Sequence, residues 1–195
     1  MKIVQVKCPS CGTPIRMKNK EAIFLCDNCG MMHTRNHGIE RIDYEIVEFS
    51  SSVANERMYM PFWRLYCDFS IRSKNVEGGS FFRLSQWIKG DKNSGAFFVF
   101  IPAFDTSLEN FKLLSIHLTL NPPHYRTTMN FGGVTRMPVL MTKEEARELA
   151  DFVVVTIEAE KPGVLQYLDY SLSVKDERII YLPFTKTSSG PVLAV

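Results

Sequence analysis

The sequence has no long apolar run and no surplus of charge of either sign. The longest apolar stretch, Ala96 to Phe104, is broken by Pro102 and falls well short of the ~20 residues that a membrane-spanning helix needs. The opening segment, Met1 to Cys8, lacks the apolar centre of a secretory signal, so a cytoplasmic location is expected. Lys and Arg number 23 against 21 Asp and Glu, a formal net charge of +2. With a pI near 8.2, the chain has little of the basic excess that marks a nucleic-acid binder. No Ser-His-Asp order, HExxH helix, P-loop or GxGxxG turn occurs, and the acidic residues form no diagnostic pair. Cysteine is sparse, five in all. Cys67 stands apart from the other four, and no histidine is tied to it by spacing, so it reads as a buried strand thiol rather than a nucleophile.

The other four cysteines come as two knuckles, Cys8-Pro9-Ser10-Cys11-Gly12 and Cys26-Asp27-Asn28-Cys29-Gly30, with fourteen residues between them. Two residues between cysteines make a turn tight enough for both sulfurs to face one ion. The glycine after each pair lets the chain turn back at positive φ. Four thiolates fill the tetrahedral shell of zinc and leave no open position, which is the pattern of a structural and not a catalytic site. A rubredoxin-type iron site uses a much longer gap, and a redox CxxC needs one pair. One structural zinc ion held by Cys8, Cys11, Cys26 and Cys29 is therefore expected. Pro14 to Met17 and Ala22 to Leu25, joined by Lys18-Asn19-Lys20, read as the two strands of a zinc ribbon. His33 and His37 follow the second knuckle and read as solvated or strand histidines. In residues 1–37 six basic side chains (Lys2, Lys7, Arg16, Lys18, Lys20 and Arg35) outnumber Glu21 and Asp27. A tetrathiolate zinc site carries two net negative charges and offsets part of that surplus.

The remainder reads as one larger domain. Residues 39–49 alternate as an exposed or edge strand, and Ser50-Ser51-Ser52 reads as a linker. The expected division is a zinc ribbon over 1–37, a connecting strand and linker over 38–52, and an α+β domain over 53–195. Within that domain a strand is expected over Arg57 to Arg72, a loop over Asn75 to Ser80, and a strand or short helix over Phe81 to Ile88. A second loop over Gly90 to Gly95 precedes a buried strand over Ala96 to Ile101, which Pro102 confines to an edge or bulge. A first helix is expected after Asp105 or Thr106, with Leu108, Phe111, Leu114 and Leu118 facing inward and Asn121-Pro122-Pro123 stopping it. Thr142 and Glu145 make a capping box for a second helix with a stripe of Ala146, Leu149, Ala150, Val153, Val154 and Ile157. Tyr167 to Val174 and Arg178 to Phe184 read as a hairpin around Lys175-Asp176-Glu177, and Pro191 to Val195 as a last strand. The tetrapeptide Tyr59-Met60-Pro61-Phe62 returns as Tyr181-Leu182-Pro183-Phe184, which raises the question of a duplicated sheet.

The segment around Tyr59, Phe62, Trp63 and Arg64 concentrates the residue types of interface hot spots, so these four are candidates for an interaction surface. His124, Arg126 and the loop Asn130-Phe131-Gly132-Gly133 are the place to look for a small-ligand pocket. His117 reads as a packed helix residue.

The ribbon motif of Cys8 to Cys29, followed by Tyr59-Met60-Pro61-Phe62-Trp63-Arg64 and then Tyr181-Leu182-Pro183-Phe184, resembles a loose group of uncharacterised bacterial proteins. These have an N-terminal zinc ribbon and a domain with a Pro-Phe-Trp strand. The resemblance implies the same fold and carries no activity, although some members look membrane-associated. The expectation is thus an α+β protein: an N-terminal zinc ribbon plus a mainly antiparallel sheet domain with two helices. Its expected role is that of a protein–protein adaptor or accessory subunit. Nucleic-acid binding, and small-ligand binding or catalysis, are the alternatives.

Overall fold

The structure, a computed structural model, describes residues 7–15, 21–34, 40–50, 56–77, 94–159, 164–188 and 190–195. The chain is α+β. A small antiparallel sheet in the order β1-β2-β3 is formed by β1 (Ile23–Leu25), β2 (Met32–Thr34) and β3 (Arg41–Ile42). A large mixed sheet is built on two long antiparallel strands, β5 (Arg57–Glu77) and β9 (Val164–Thr187), paired from Arg57 opposite Thr185 to Glu77 opposite Val164. Around them lie β4 (Tyr44–Val47), β6 (Ser94–Pro102), β7 (Thr127–Thr128), β8 (Thr135–Arg136) and β10 (Gly190–Leu193). β4 runs parallel to β9 and β8 parallel to β5; the other pairings are antiparallel.

The sequence echo is a structural repeat. Tyr59 faces Pro183, Met60 faces Leu182 and Pro61 faces Tyr181, so the two tetrapeptides lie across from each other about a local two-fold axis. The neighbours obey the same axis. β8 flanks β5 at Met58 and Tyr59, as β4 flanks β9 at Ile179 to Tyr181. β6 flanks β5 from Phe62 onward, as β10 flanks β9 from Phe184 onward. Each long strand therefore changes its outer neighbour at its proline, the one residue with no N–H to give a ladder. The carbonyl of Pro61 accepts from Ala103 N (3.0 Å), whose own carbonyl accepts from Leu140 N (2.7 Å). The carbonyl of Pro183 accepts from Ala194 N (2.9 Å), whose carbonyl accepts from Ser50 N (2.9 Å). The units β4–β5–β6 and β8–β9–β10 repeat one arrangement, with the first strand of each laid against the long strand of the other.

Both faces of the sheet are covered where the two echoes meet. On one face Tyr59, Trp63, Leu65, Ile179 and Tyr181 pack with helix α2 (Lys143–Ala159) through Ala146, Ala150, Val153, Val154 and Ile157. On the other, Met60, Phe62, Phe100, Ile180, Leu182 and Phe184 pack with Leu118 of helix α1 (Leu108–Leu120). The capping box starts α2 as its sequence requires: Glu145 Oε2 accepts from Thr142 N (2.7 Å) and Thr142 Oγ1 accepts from Glu145 N (3.3 Å). α1 is capped by Ser107 rather than by Asp105 or Thr106, its hydroxyl accepting from Asn110 N at 3.2 Å. One member of the expected inward stripe of α1 fails, since Leu108 is 74% exposed. His117, expected to be packed, is exposed.

Three further expectations are corrected. Lys175-Asp176-Glu177 is no turn. β9 runs straight through it, and the pairing steps from Tyr66–Asp176 to Cys67–Val174, which leaves Lys175 as the extra residue of a β-bulge. The bulge resets the alternation, so that Tyr170, Leu172 and Val174 point to the same core as Ile179 and Tyr181. Three charged residues in a row, with a break in period, resemble a turn when read without partners. Asn75 to Glu77 continue β5 rather than opening a loop, and β6 begins at Ser94; 78–93, with the Phe81 to Ile88 segment, lie outside the described residues. Finally, the single exposed or edge strand expected over 39–49 is two strands among the described residues 40–49. Arg41–Ile42 complete the small sheet, and Tyr44–Val47 lie within the large one between β9 and β7, with Ile46 and Val47 buried. No helix among the described residues is long and apolar enough to cross a membrane.

Candidate metal centre

The two knuckles fold as their spacing demands. Gly12 N donates to Cys8 O and Gly30 N to Cys26 O, each at 2.8 Å, and both glycines sit at positive φ (72° and 68°). The four sulfurs converge: Cys8 and Cys29 Sγ are 3.7 Å apart, Cys11 and Cys26 Sγ 3.6 Å, and all four lie within 4.8 Å of one another. Zinc–sulfur bonds of ~2.3 Å in a tetrahedron put sulfurs roughly 3.8 Å apart, so the spacing fits zinc and is far too long for disulfides. Two of the thiols differ in their surroundings. The hydroxyl and backbone of Thr13, with the side chain of Asn28, hold the Cys11 thiol down to about 5. A backbone hydrogen bond at Met31 acts in the same sense on Cys29, but desolvation and the neighbouring sulfurs Cys11, Cys26 and Cys8 outweigh it and push that thiol up to about 12. Four sulfurs this close hold their negative charge together when a cation sits among them. An ion held by these four sulfurs would cross-link two chain segments.

The expected ribbon hairpin between the knuckles is seen in part. β1 is present, 16–20 lie outside the described residues, and β1 pairs with β2, beyond the second knuckle. His33 is on β2 but is not solvated. Its ring is buried against Phe24, and Nε2 lies 3.6 Å from Cys8 Sγ. Burial, with Arg41 nearby, lowers its pKa and favours the neutral ring. His37 lies outside the described residues.

The cysteine-bearing head is keyed into the large sheet. Ile23, Met32 and Ile42 share one core with Val139, Ile179 and Tyr181, and Ala22 N donates to Val139 O at 2.9 Å. Tyr44 hydroxyl donates to Gly30 O (2.7 Å), closing the second knuckle from the large-sheet side. Arg136 lies 3.7 Å from Asp27 inside that knuckle, and Lys143 lies 3.3 Å from Glu40. Apart from that of Tyr44 with Gly30, these bonds and ion pairs link residues more than a hundred positions apart, and nothing in local spacing announces them.

The aromatic candidates lie inside the protein. Tyr59, Phe62 and Trp63 are 3%, 0% and 0% exposed, and the Arg64 side chain is 13% exposed. This corrects the expected surface: with cores on both faces of β5, alternation no longer sends every second residue to water. Trp63 Nε1 donates to Met141 O at 3.1 Å. Arg64 forms a two-pronged pair with Glu45 (2.9 and 3.0 Å), which also accepts from Arg178 (2.9 Å) and from the Tyr125 hydroxyl (2.9 Å); Arg64 donates to that hydroxyl as well. Sequence reasoning gave no sign of this cluster. Cys67 is buried, and desolvation pushes its thiol up to about 12, as suits a packing residue.

His124 and Arg126 line a hollow of about 520 Å³ together with Glu48, Phe49, Ser50, Tyr125 and Val195. Gly132 and Gly133, at φ 58° and 74°, are not part of it. They turn the chain so that Phe131 packs edge-on between Tyr59 (5.3 Å) and Tyr181 (4.9 Å). A larger cleft of about 780 Å³ opens between the start of α1 and the first half of α2, with Leu108, Phe111, Met141, Leu149 and Phe152 among its walls. Set beside family models, curated proteins and solved structures, the chain matches none of them.

Proposed function

We propose that Cys8, Cys11, Cys26 and Cys29 hold one structural zinc ion, and that the chain is a protein–protein interaction module, an adaptor or accessory subunit. The zinc reading is supported by sulfur spacings close to a tetrahedral edge. It is also supported by the engagement of the head with the large sheet, which gives the ion a role in the stability of the whole chain. The module reading rests on the apolar cleft between the two helices. Leu108 is 74% and Phe152 44% exposed there. Large apolar side chains grouped at a concave, open site mark a surface that a partner covers.

The test is affinity capture of the zinc-loaded chain from nuclease-treated lysate, comparing wild type with Phe152→Asp. A stoichiometric protein lost in the variant supports the module. Nucleic acid recovered when the nuclease is omitted, with no protein partner, moves the reading to the basic side chains of the head, of which Lys7 lies within the described residues. A third reading is favoured by the hollow at Glu48, His124 and Arg126, which brings a carboxylate, an imidazole and a guanidinium to one concave site. A small anion that shifts the His124 ring resonances would support it.

A further inference from the structure

We infer that the cleft between α1 and α2 receives a basic amphipathic helix of a partner protein; this rests on the interaction-module reading and names its partner. Leu108 opens the first turn of α1 and belongs by period to the inward stripe with Phe111 and Leu118, yet Phe111 and Leu118 are buried while Leu108 faces solvent. It overlooks the cleft, across from Phe152 and Leu149 of α2, with Phe111 and Met141 deeper in the walls.

Among the described residues the charges around this apolar floor are of one sign: Asp105, Glu145 and Glu148 line the cleft, and no described Lys, Arg or His does. All three are exposed, so the rim presents negative charge to whatever approaches. A ligand that fills the floor and matches the rim carries apolar side chains on one stripe and Lys or Arg beside them.

The backbone around the cleft decides between a helix and a strand. A strand docks by borrowing free N–H and C=O groups from its host. Here the Ala103 carbonyl is taken by Leu140 N (2.7 Å), the Met141 carbonyl by Trp63 Nε1 (3.1 Å) and Asn110 N by the Ser107 hydroxyl (3.2 Å), and beyond their first turns the two helices use their backbone groups internally. Further along β6, Phe100 N donates to Thr119 Oγ1 of α1 at 3.1 Å. A partner segment must therefore satisfy its own backbone, which a helix does. Its anchors at i, i+3 or i+4, and i+7 would enter between Leu108 and Phe152.

The experiment is a selection from a displayed library of random twenty-residue peptides against the full zinc-loaded chain. Fluorescence anisotropy of the recovered peptides, fluorescein-labelled, then follows on wild type, Leu108→Asp, Phe152→Asp, Glu148→Lys and Glu148→Gln. All four substitutions are at exposed positions, and thermal melts confirm that the variants remain folded. The expected peptides have apolar residues at helical spacing flanked by Lys or Arg. Leu108→Asp and Phe152→Asp weaken them by roughly tenfold or more. Glu148→Lys weakens them more than Glu148→Gln, and raising salt narrows that difference. Peptides without basic flanks or helical spacing overturn the inference. So do recovered peptides that bind Leu108→Asp and Phe152→Asp as well as wild type, an outcome that leaves the interaction module standing with its surface elsewhere. A library that yields no binder overturns both.

Discussion

Pro61 and Pro183 are related by a half-turn about the axis that passes between the paired residues Met60 and Leu182. Each proline is buried, each accepts one hydrogen bond from an alanine, and each alanine carbonyl is bonded by a third segment, Leu140 in one case and Ser50 in the other. In a regular antiparallel pair the alanine carbonyl would accept from the N–H opposite it. Proline has none, so the carbonyl is left for the third segment. The residue that ordinarily disqualifies a central strand is here what allows three segments to meet.

Pro61→Ala and Pro183→Ala therefore each add a buried N–H that competes for a carbonyl already in use. The expected loss is about 1–3 kcal/mol for each, the cost of one unsatisfied buried donor. Urea denaturation measures it. Amide exchange should quicken at Leu140 in the first variant and at Ser50 in the second. Unchanged exchange at both amides would show that the prolines serve only to fix φ.

What was legible in the sequence was local. The cysteine knuckles, the glycines that end them, and the cap and stripe of α2 each depend on residues within a few positions of one another, and each is present. What was not legible depends on what covers a surface. Trp63 and Arg64 sit on opposite faces of β5, and alternation sends one of them to water when one face is bare. Helix α2 covers the Trp63 side. On the other side Glu45, Tyr125 and Arg178 close over Arg64. Those partners come from three other segments, 19 to 114 residues away in the chain, beyond the reach of any periodicity.

Removal of the metal should be felt outside the head. Cys26→Ser removes one of the four sulfurs, and β1 and β2 lose the cross-link between their knuckles. Because Ile23, Met32 and Ile42 share a core with Val139, Ile179 and Tyr181, the melting midpoint of the whole chain should fall. Exchange should accelerate at the Ala22 amide, which is bonded to Val139. Elemental analysis should find about one zinc per wild-type chain and much less in the variant. Full metal content with an unmoved midpoint would show that the four cysteines do not form the site.

Glu45 gives a pH dependence with a definite sign. Burial acts to raise its pKa, but the Tyr125 hydroxyl and the guanidiniums of Arg64 and Arg178 outweigh it and hold the carboxyl below its ordinary value of 4.5. A carboxyl depressed in the fold stabilises above its unfolded pKa, and the contribution disappears as pH falls through the folded value. Glu45→Gln leaves two guanidiniums facing a neutral group. At pH 7 the variant should be less stable by about 2 kcal/mol, less than the ~3–5 kcal/mol for a fully buried pair, because its side chain is 21% exposed. The gap between wild type and variant should hold down to about pH 4.5 and close below it. A gap that stays constant through that range would mean that Glu45 acts by shape alone.

The bulge at Lys175 is one extra residue in β9, and its removal should leave every other pairing intact. Lys175 pairs with Asp68 at 3.5 Å, and both side chains are about half exposed, so Lys175→Ala should cost ~0–1 kcal/mol. Deleting Lys175 brings Val174 next to Asp176 in the chain, while Val174 stays opposite Cys67 and Asp176 opposite Tyr66. Adjacent strand residues point to opposite faces, so Tyr170, Leu172 and Val174 keep to the core side with Ile179 and Tyr181, and the ladder becomes regular. Denaturation of both variants should therefore show a cooperative transition with a midpoint close to that of wild type. Collapse of the deletion variant alone would mean that the local bend and twist of the bulge, and not only the register of β9, seat these side chains.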